Sequence, residues 1–127
     1  MKLLNDPIKN ISFDDVVSFC KEKHIEGLQI DYKKEFPSKG LAKHFAAFSN
    51  TRGGLIIVGV EEDVKGLPVK WAGLKNEGKL IDRVHQFASN VDPIPSYETC
   101  VTDEKNGKVF LLVRVFEGDQ TPYYVQN

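Results

Sequence analysis

"HFAAFSNTRGGLIIVGVEED", residues 44–63, decides how this chain is read. A stretch of helical period meets Asn-Thr-Arg-Gly-Gly, passes into an unbroken apolar run, and ends on three acids. Leu41, Phe45 and Phe48 form one stripe, whereas Lys43, Ala47 and Asn50 fall opposite, so this helix packs by one side. Gly53 and Gly54 end it and let the chain turn sharply, because glycine tolerates positive φ. Residues 55–60, apolar on both faces and β-branched, predict a central strand covered on both sides. Glu61, Glu62 and Asp63 at its mouth are either a solvated turn or part of a site.

On the N-terminal side, Ser12 followed by Asp15 resembles a capping box with Asp in place of Glu. Phe13, Val16, Val17 and Cys20 recur at helical spacing and predict a helix over 13–23. "GLQIDYKKEF" then alternates, with Leu28, Ile30 and Tyr32 on one face and Gln29, Asp31 and Lys33 on the other, as in a half-buried strand. On the C-terminal side, "VKGLPVKWAG" reads as a loop broken by Gly66 and Pro68. A third helix is expected over 77–89, with Leu80, Ile81, Val84, Phe87 and Ala88 facing inward. "YETCVT" and "VFLLVRVF" form an antiparallel hairpin around Asn106-Gly107, a strong turn pair. "TPYYVQN" starts another extended segment and runs to the last residue, so we expect the N-terminal part of a longer protein. The element order predicts a single α/β (α+β) domain over 1–127, with a mixed sheet centred on 55–60 and helices packed on it.

The 127 residues suit one compact domain. Hydrophobic residues at 41% and charged residues at 28% argue against wholesale disorder. The net charge of −1 lacks the basic excess of most nucleic-acid binders, so any such binding must come from a local cluster. Cys20 and Cys100 are too few for a zinc site and lack CxxC spacing. The longest apolar run is far too short to span a membrane, and no N-terminal signal pattern is present, so a cytoplasmic protein is the default.

The candidate chemistry lies around Asp31. Asp31 and Lys33 share the polar face of one strand, and Glu26 sits just before it. If Glu61 leaves the neighbouring strand towards them, three carboxylates converge, a donor set suited to Mg²⁺ or Mn²⁺. The alternative is a solvent-facing pair and a polar turn. Lys33, Lys34, Lys39, Lys43 and Arg52 cluster within one strand–helix unit and suit phosphate contacts, with a soluble surface as the plainer reading. His24, His44 and His85 form no spaced ligand set, and His44 reads as a packing or surface residue. Neither a Walker A pattern nor GxGxxG is present.

Taken in order, "IEGLQIDYKKEF", "AAFSNTRGGLIIVGVEED", "VKGLP" and "TPYYVQN" resemble the AlbA-like domain of the Schlafen family, over residues 26–127. The segment from Ala47 to Val60 is the most specific part. The resemblance implies a nucleic-acid-binding module, DNA or RNA, of the kind found in prokaryotic transcriptional regulators and helicase-related proteins. The basic cluster supplies Lys33, Lys34, Lys43 and Arg52 as the candidate binding residues, and the resemblance implies a C-terminal ATPase-like or winged-helix region in the full-length protein. In some members three acids form a metal-dependent RNase site, and Glu26, Asp31 and Glu61 match those positions. Here Asp31-Tyr32-Lys33 stands where Glu-Phe-Lys is common, and Glu61 where Asp is common. A homodimerising interaction domain is the third reading.

Overall fold

The computed structural model describes residues 2–23, 29–37 and 39–126. In chain order it begins with helix α1 (Lys2–Asn5), a 3-10 turn (Ile8–Asn10), helix α2 (Phe13–Glu22), strand β1 (Ile30–Lys33), helix α3 (Ala42–Ser49) and strand β2 (Gly54–Val58). Then come β3 (Glu61–Glu62), β4 (Pro68–Lys70), β5 (Leu74–Lys75), helix α4 (Leu80–Ala88) and β6 (Val91–Asp92). The chain closes with β7 (Tyr97–Val101), β8 (Lys108–Val109), β9 (Leu111–Val115) and β10 (Tyr124–Val125).

The main sheet has the order β1-β2-β9-β7. β1 runs parallel to β2, and the other two pairings are antiparallel, which makes the sheet mixed. β2 is interior, as its two-sided apolar pattern predicts, because each of its faces meets a separate core. Ile56 and Val58 pack with Phe45 of α3 and Val84 of α4. Leu55 and Ile57 pack on the opposite face with Leu3, Ile8, Val16 and Phe19 from the N-terminal elements. All four of these β2 residues are no more than 4% exposed. The strand stops at Val58, two residues before the expected end, because Gly59 leaves the extended region at φ +116°. A Cβ on Gly59 would sit 2.9 Å from the Gly73 backbone, so the glycine permits a close crossing of two chain segments.

Local signals account for most of the other elements. Ser12 accepts from the Asp15 amide and Asp15 accepts from the Ser12 amide, which completes the capping box of α2. Asn106 and Gly107 both have positive φ, and the Lys105 and Lys108 backbones exchange two hydrogen bonds across them. α4 buries Leu80, Val84 and Ala88, as its spacing predicts, within bounds shorter than 77–89. The C-terminal segment pairs through β10 with β6 rather than joining the main sheet.

Part of the stretch read as a loop after the acids is strand: β4 pairs with β3, so Glu61 and Glu62 lie on a small hairpin. Pro68, expected to break the chain, opens β4. Proline is tolerated as the first residue of a strand in a two-stranded hairpin, where few ladder bonds depend on its missing N–H.

The Gly53–Gly54 corner is tightly built. Gly53 has φ +78°, and a Cβ there would lie 2.5 Å from the Val115 carbonyl oxygen. A Cβ on Gly54 would meet the Phe48 ring at 2.6 Å. The corner therefore presses α3 and the start of β2 against the end of β9. Asn50 fastens the same region, donating to the Tyr123 carbonyl at 2.8 Å and accepting from the Tyr123 amide at 2.6 Å.

Candidate nucleic-acid interface

Parallel pairing places Asp31 beside Ile56 and Lys33 beside Val58, so both side chains lie on the sheet face covered by α3. Tyr32 faces the other way and is 2% exposed. The polar face of β1 is thus partly covered rather than open to solvent. His44 of α3 compensates: its Nε2 lies 2.9 Å from Asp31 Oδ2, and Lys33 Nζ lies 3.2 Å from Asp31 Oδ1. The Asp31 side chain is 17% exposed. Burial alone raises its pKa, but the hydrogen bond and charge of His44, with Lys33, outweigh it and lower the carboxyl below its ordinary value. An ionised carboxylate only accepts, so the His44 Nε2 carries the proton of that bond. The His44 Nδ1 is buried and has no hydrogen-bond partner among the described residues.

The three acids after β2 have separate surroundings. Glu61 Oε1 lies 3.7 Å from Lys34 Nζ, a loose pair in which the lysine side chain is 75% exposed. Glu62 titrates above its ordinary value because of burial and then the charge of Asp31, with Lys33 opposing and Asp63 adding. Asp63 Oδ1 accepts from the amides of Lys65 at 2.8 Å and Leu67 at 3.0 Å, closing the loop between β3 and β4. These two bonds draw its carboxyl down although it is exposed to solvent. One acid closes a turn, one meets a lysine, and one senses Asp31.

Glu26 lies outside the described residues. Of the other two acids in the expected metal set, Asp31 meets Lys33 and His44, and Glu61 meets Lys34. Among the described residues, no group of three or more His, Cys, Asp or Glu side chains is placed to hold a metal ion. Asp31 and Glu61 are thus each met by a cationic side chain among the described residues.

The expected phosphate contacts differ in availability. Lys33 is committed to Asp31. Lys34 is largely exposed, and its pairing with Glu61 is loose. Lys43 on α3 and Arg52 in the turn after it are exposed and form no ion pair among the described residues. The strand–helix unit thus offers Lys34, Lys43 and Arg52 to an anion. Sequence reading passed over His44, because neither its helical position nor its spacing shows that Asp31 lies beneath it. It also weighted Glu61 over Glu62, since the neighbour relations of β3 depend on its pairing with β4.

The thiols of Cys20 and Cys100 are free. Burial raises the Cys20 thiol to about 12 and makes it a poor nucleophile. No helix is long and apolar enough to cross a membrane among the described residues.

These features define an α+β domain in which helices cover a mixed four-stranded sheet and one strand–helix unit carries exposed cations. The chain belongs to the Schlafen AlbA_2 family, whose model matches residues 26–127. Its fold is similar to the solution NMR structure of the N-terminal domain of a RecG-related protein from Nitrosomonas europaea, named for its relation to an ATP-dependent DNA helicase. The TM-score is 0.64 at 24% identity, covering 91% of this chain and 81% of that one.

Proposed function

We propose that this domain binds DNA or RNA through the β1–α3 unit, as a module of a larger regulator or helicase-related protein. The observation that carries this reading is the exposure of Lys43 and Arg52 on that unit with no acidic partner among the described residues. Membership of the AlbA_2 family and the helicase-related description of the structural relative support the same role. With a net charge of −1, binding rests on these few cations rather than on a general basic field. Affinity should fall steeply with salt as phosphates displace counterions. The test is fluorescence anisotropy with labelled oligonucleotides over a salt series. Lys43→Glu with Arg52→Glu should weaken binding to all sequences alike and reduce the salt slope by about 2. No binding to any DNA or RNA at low salt would defeat the proposal.

We place binding before cleavage because Asp31 and Glu61 are each met by a cationic side chain. The nuclease reading needs Glu26 together with those two acids and Mg²⁺ or Mn²⁺. A Mn²⁺ titration that raises the melting temperature of the wild type but not of Asp31→Asn, with metal-dependent RNA cleavage, would reverse the order. Homodimerisation, checked by sedimentation, is compatible with either.

A further inference from the structure

The Gly53 corner brings together two groups far apart in sequence. A Cβ on Gly53 would lie 2.5 Å from the Val115 oxygen, 3.0 Å from the Glu117 nitrogen and 3.3 Å from the Phe116 carbonyl carbon. The turn bearing Arg52 is therefore pressed on the backbone that bears Phe116. The junction is held from both sides: the Gly118 amide donates to the Ser49 carbonyl at 2.9 Å, and the Thr51 hydroxyl donates to Gln29 Oε1 at 2.9 Å. Between these walls an open groove of about 590 Å³ is lined by Leu4, Gln29, Ile30, Arg52, Phe116 and Glu117, among others. That volume lies within the range of about 300–1,000 Å³ typical of small-ligand clefts.

Phe116 follows a strand in which Leu111, Leu112, Val113 and Val115 are essentially buried, yet it remains 43% exposed. An exposed ring at the end of a buried strand leaves apolar area uncovered, and a flat apolar partner would cover it. Arg52 is exposed and unpaired among the described residues, so it is available to an anion. Arg114 also lines the groove, but its guanidinium donates to the Leu3 and Asp6 carbonyls and to Glu98, so it braces the N-terminal segment. Glu117 is the only carboxylate in the lining among the described residues. A ligand with a flat apolar face and a negative charge beside it matches this arrangement.

Resting on the nucleic-acid reading above, we infer that this groove seats single-stranded nucleic acid, with a base stacked on Phe116 and the adjoining phosphate at Arg52. A duplex hides its base faces in its own stack, whereas a single strand presents them to an aromatic platform.

The experiment compares wild type, Phe116→Leu, Phe116→Trp and Arg52→Ala for binding to a pyrimidine 20-mer and to a duplex of the same length. Circular dichroism checks that each variant folds. Phe116→Leu keeps apolar bulk and should weaken single-strand binding by about 5-fold or more. Its duplex binding and its salt slope should be unchanged. Phe116→Trp should bind the single strand at least as tightly as wild type, and Arg52→Ala should lower the salt slope by about 1. Equal loss on single strand and duplex in Phe116→Leu, or no loss on either, overturns the groove. If Lys43→Glu with Arg52→Glu still weakens binding to all sequences in that case, the general binding reading survives. Wild type that binds neither nucleic acid overturns both.

Discussion

Asp31 on β1 and Asp63 in the loop between β3 and β4 are both held below the ordinary carboxylate range, for opposite reasons. Asp31 is partly buried: burial acts against its charge, and His44 and Lys33, reached through tertiary packing, restore it. Asp63 is exposed, and two backbone amides within four residues stabilise its charge. The same direction of shift marks a tertiary ion cluster in one place and a local turn in the other. A shifted acid in this region is therefore not by itself a sign of a site.

The sharpest way to break this contrast is Asp31→Ala. It leaves His44 and Lys33 without their shared acceptor in a partly buried setting, and should cost about 1–3 kcal/mol of stability in urea unfolding. A loss near zero would mean that the cluster relaxes into solvent and that the two aspartates are equivalent.

Acid titration gives the next largest effect, and its sign separates Asp31 from Glu62. The folded pKa of Asp31 is lowered, so its contribution is complete above the unfolded value near 4 and is lost as pH falls through the folded value. Asp31→Asn should flatten that acid limb. Glu62 has a raised folded pKa, so stability should decline as pH rises from its unfolded value through the raised one. Glu62→Gln should remove that decline and leave the protein at least as stable as wild type at pH 7. Thermal melts over a pH series test both, and a destabilised Glu62→Gln would contradict the raised Glu62 value.

His44→Leu tests the causes directly. With His44 gone, burial acts on Asp31 against Lys33 alone, and the Asp31 carboxyl should titrate higher than in wild type by carboxyl-carbon NMR. An unchanged value would place the whole effect on Lys33. The smallest expected change is in Asp63→Ala, where the amides of Lys65 and Leu67 should exchange faster with solvent while the core amides of β2 keep their protection.

How much of this was legible in the sequence follows the range of the interactions. Ser12 and Asp15, and Asn106 and Gly107, each act within a few residues, so the elements they cap or turn can be read from the string itself. The two-sided apolar pattern of β2 likewise identified an interior strand, because only a strand covered on both faces needs it. The family resemblance rested on the same local pattern and led to the correct fold. Between β3 and β4 the signals failed. Two- and three-residue strands have no periodicity to read, and Pro68 and Gly66 spoke for a loop.

The sequence by itself determined the local elements, the covered central strand and the stretch in which the exposed cations would gather. Only the tertiary structure decided which charges meet. Helical period places His44 on a face of α3, but the docking of α3 on the β1–β2 edge sets Asp31 beneath it. Likewise Lys33 and Lys34 are adjacent in the chain, yet one is spent on Asp31 and the other stays largely open, because β1 ends at Lys33 and Lys34 lies beyond the covered strand. Arg52 and Phe116 stand 64 positions apart (116 − 52 = 64). Their meeting depends on the antiparallel register of β2 with β9 and on the missing side chain of Gly53, a fit between distant backbones that no local pattern in the chain encodes.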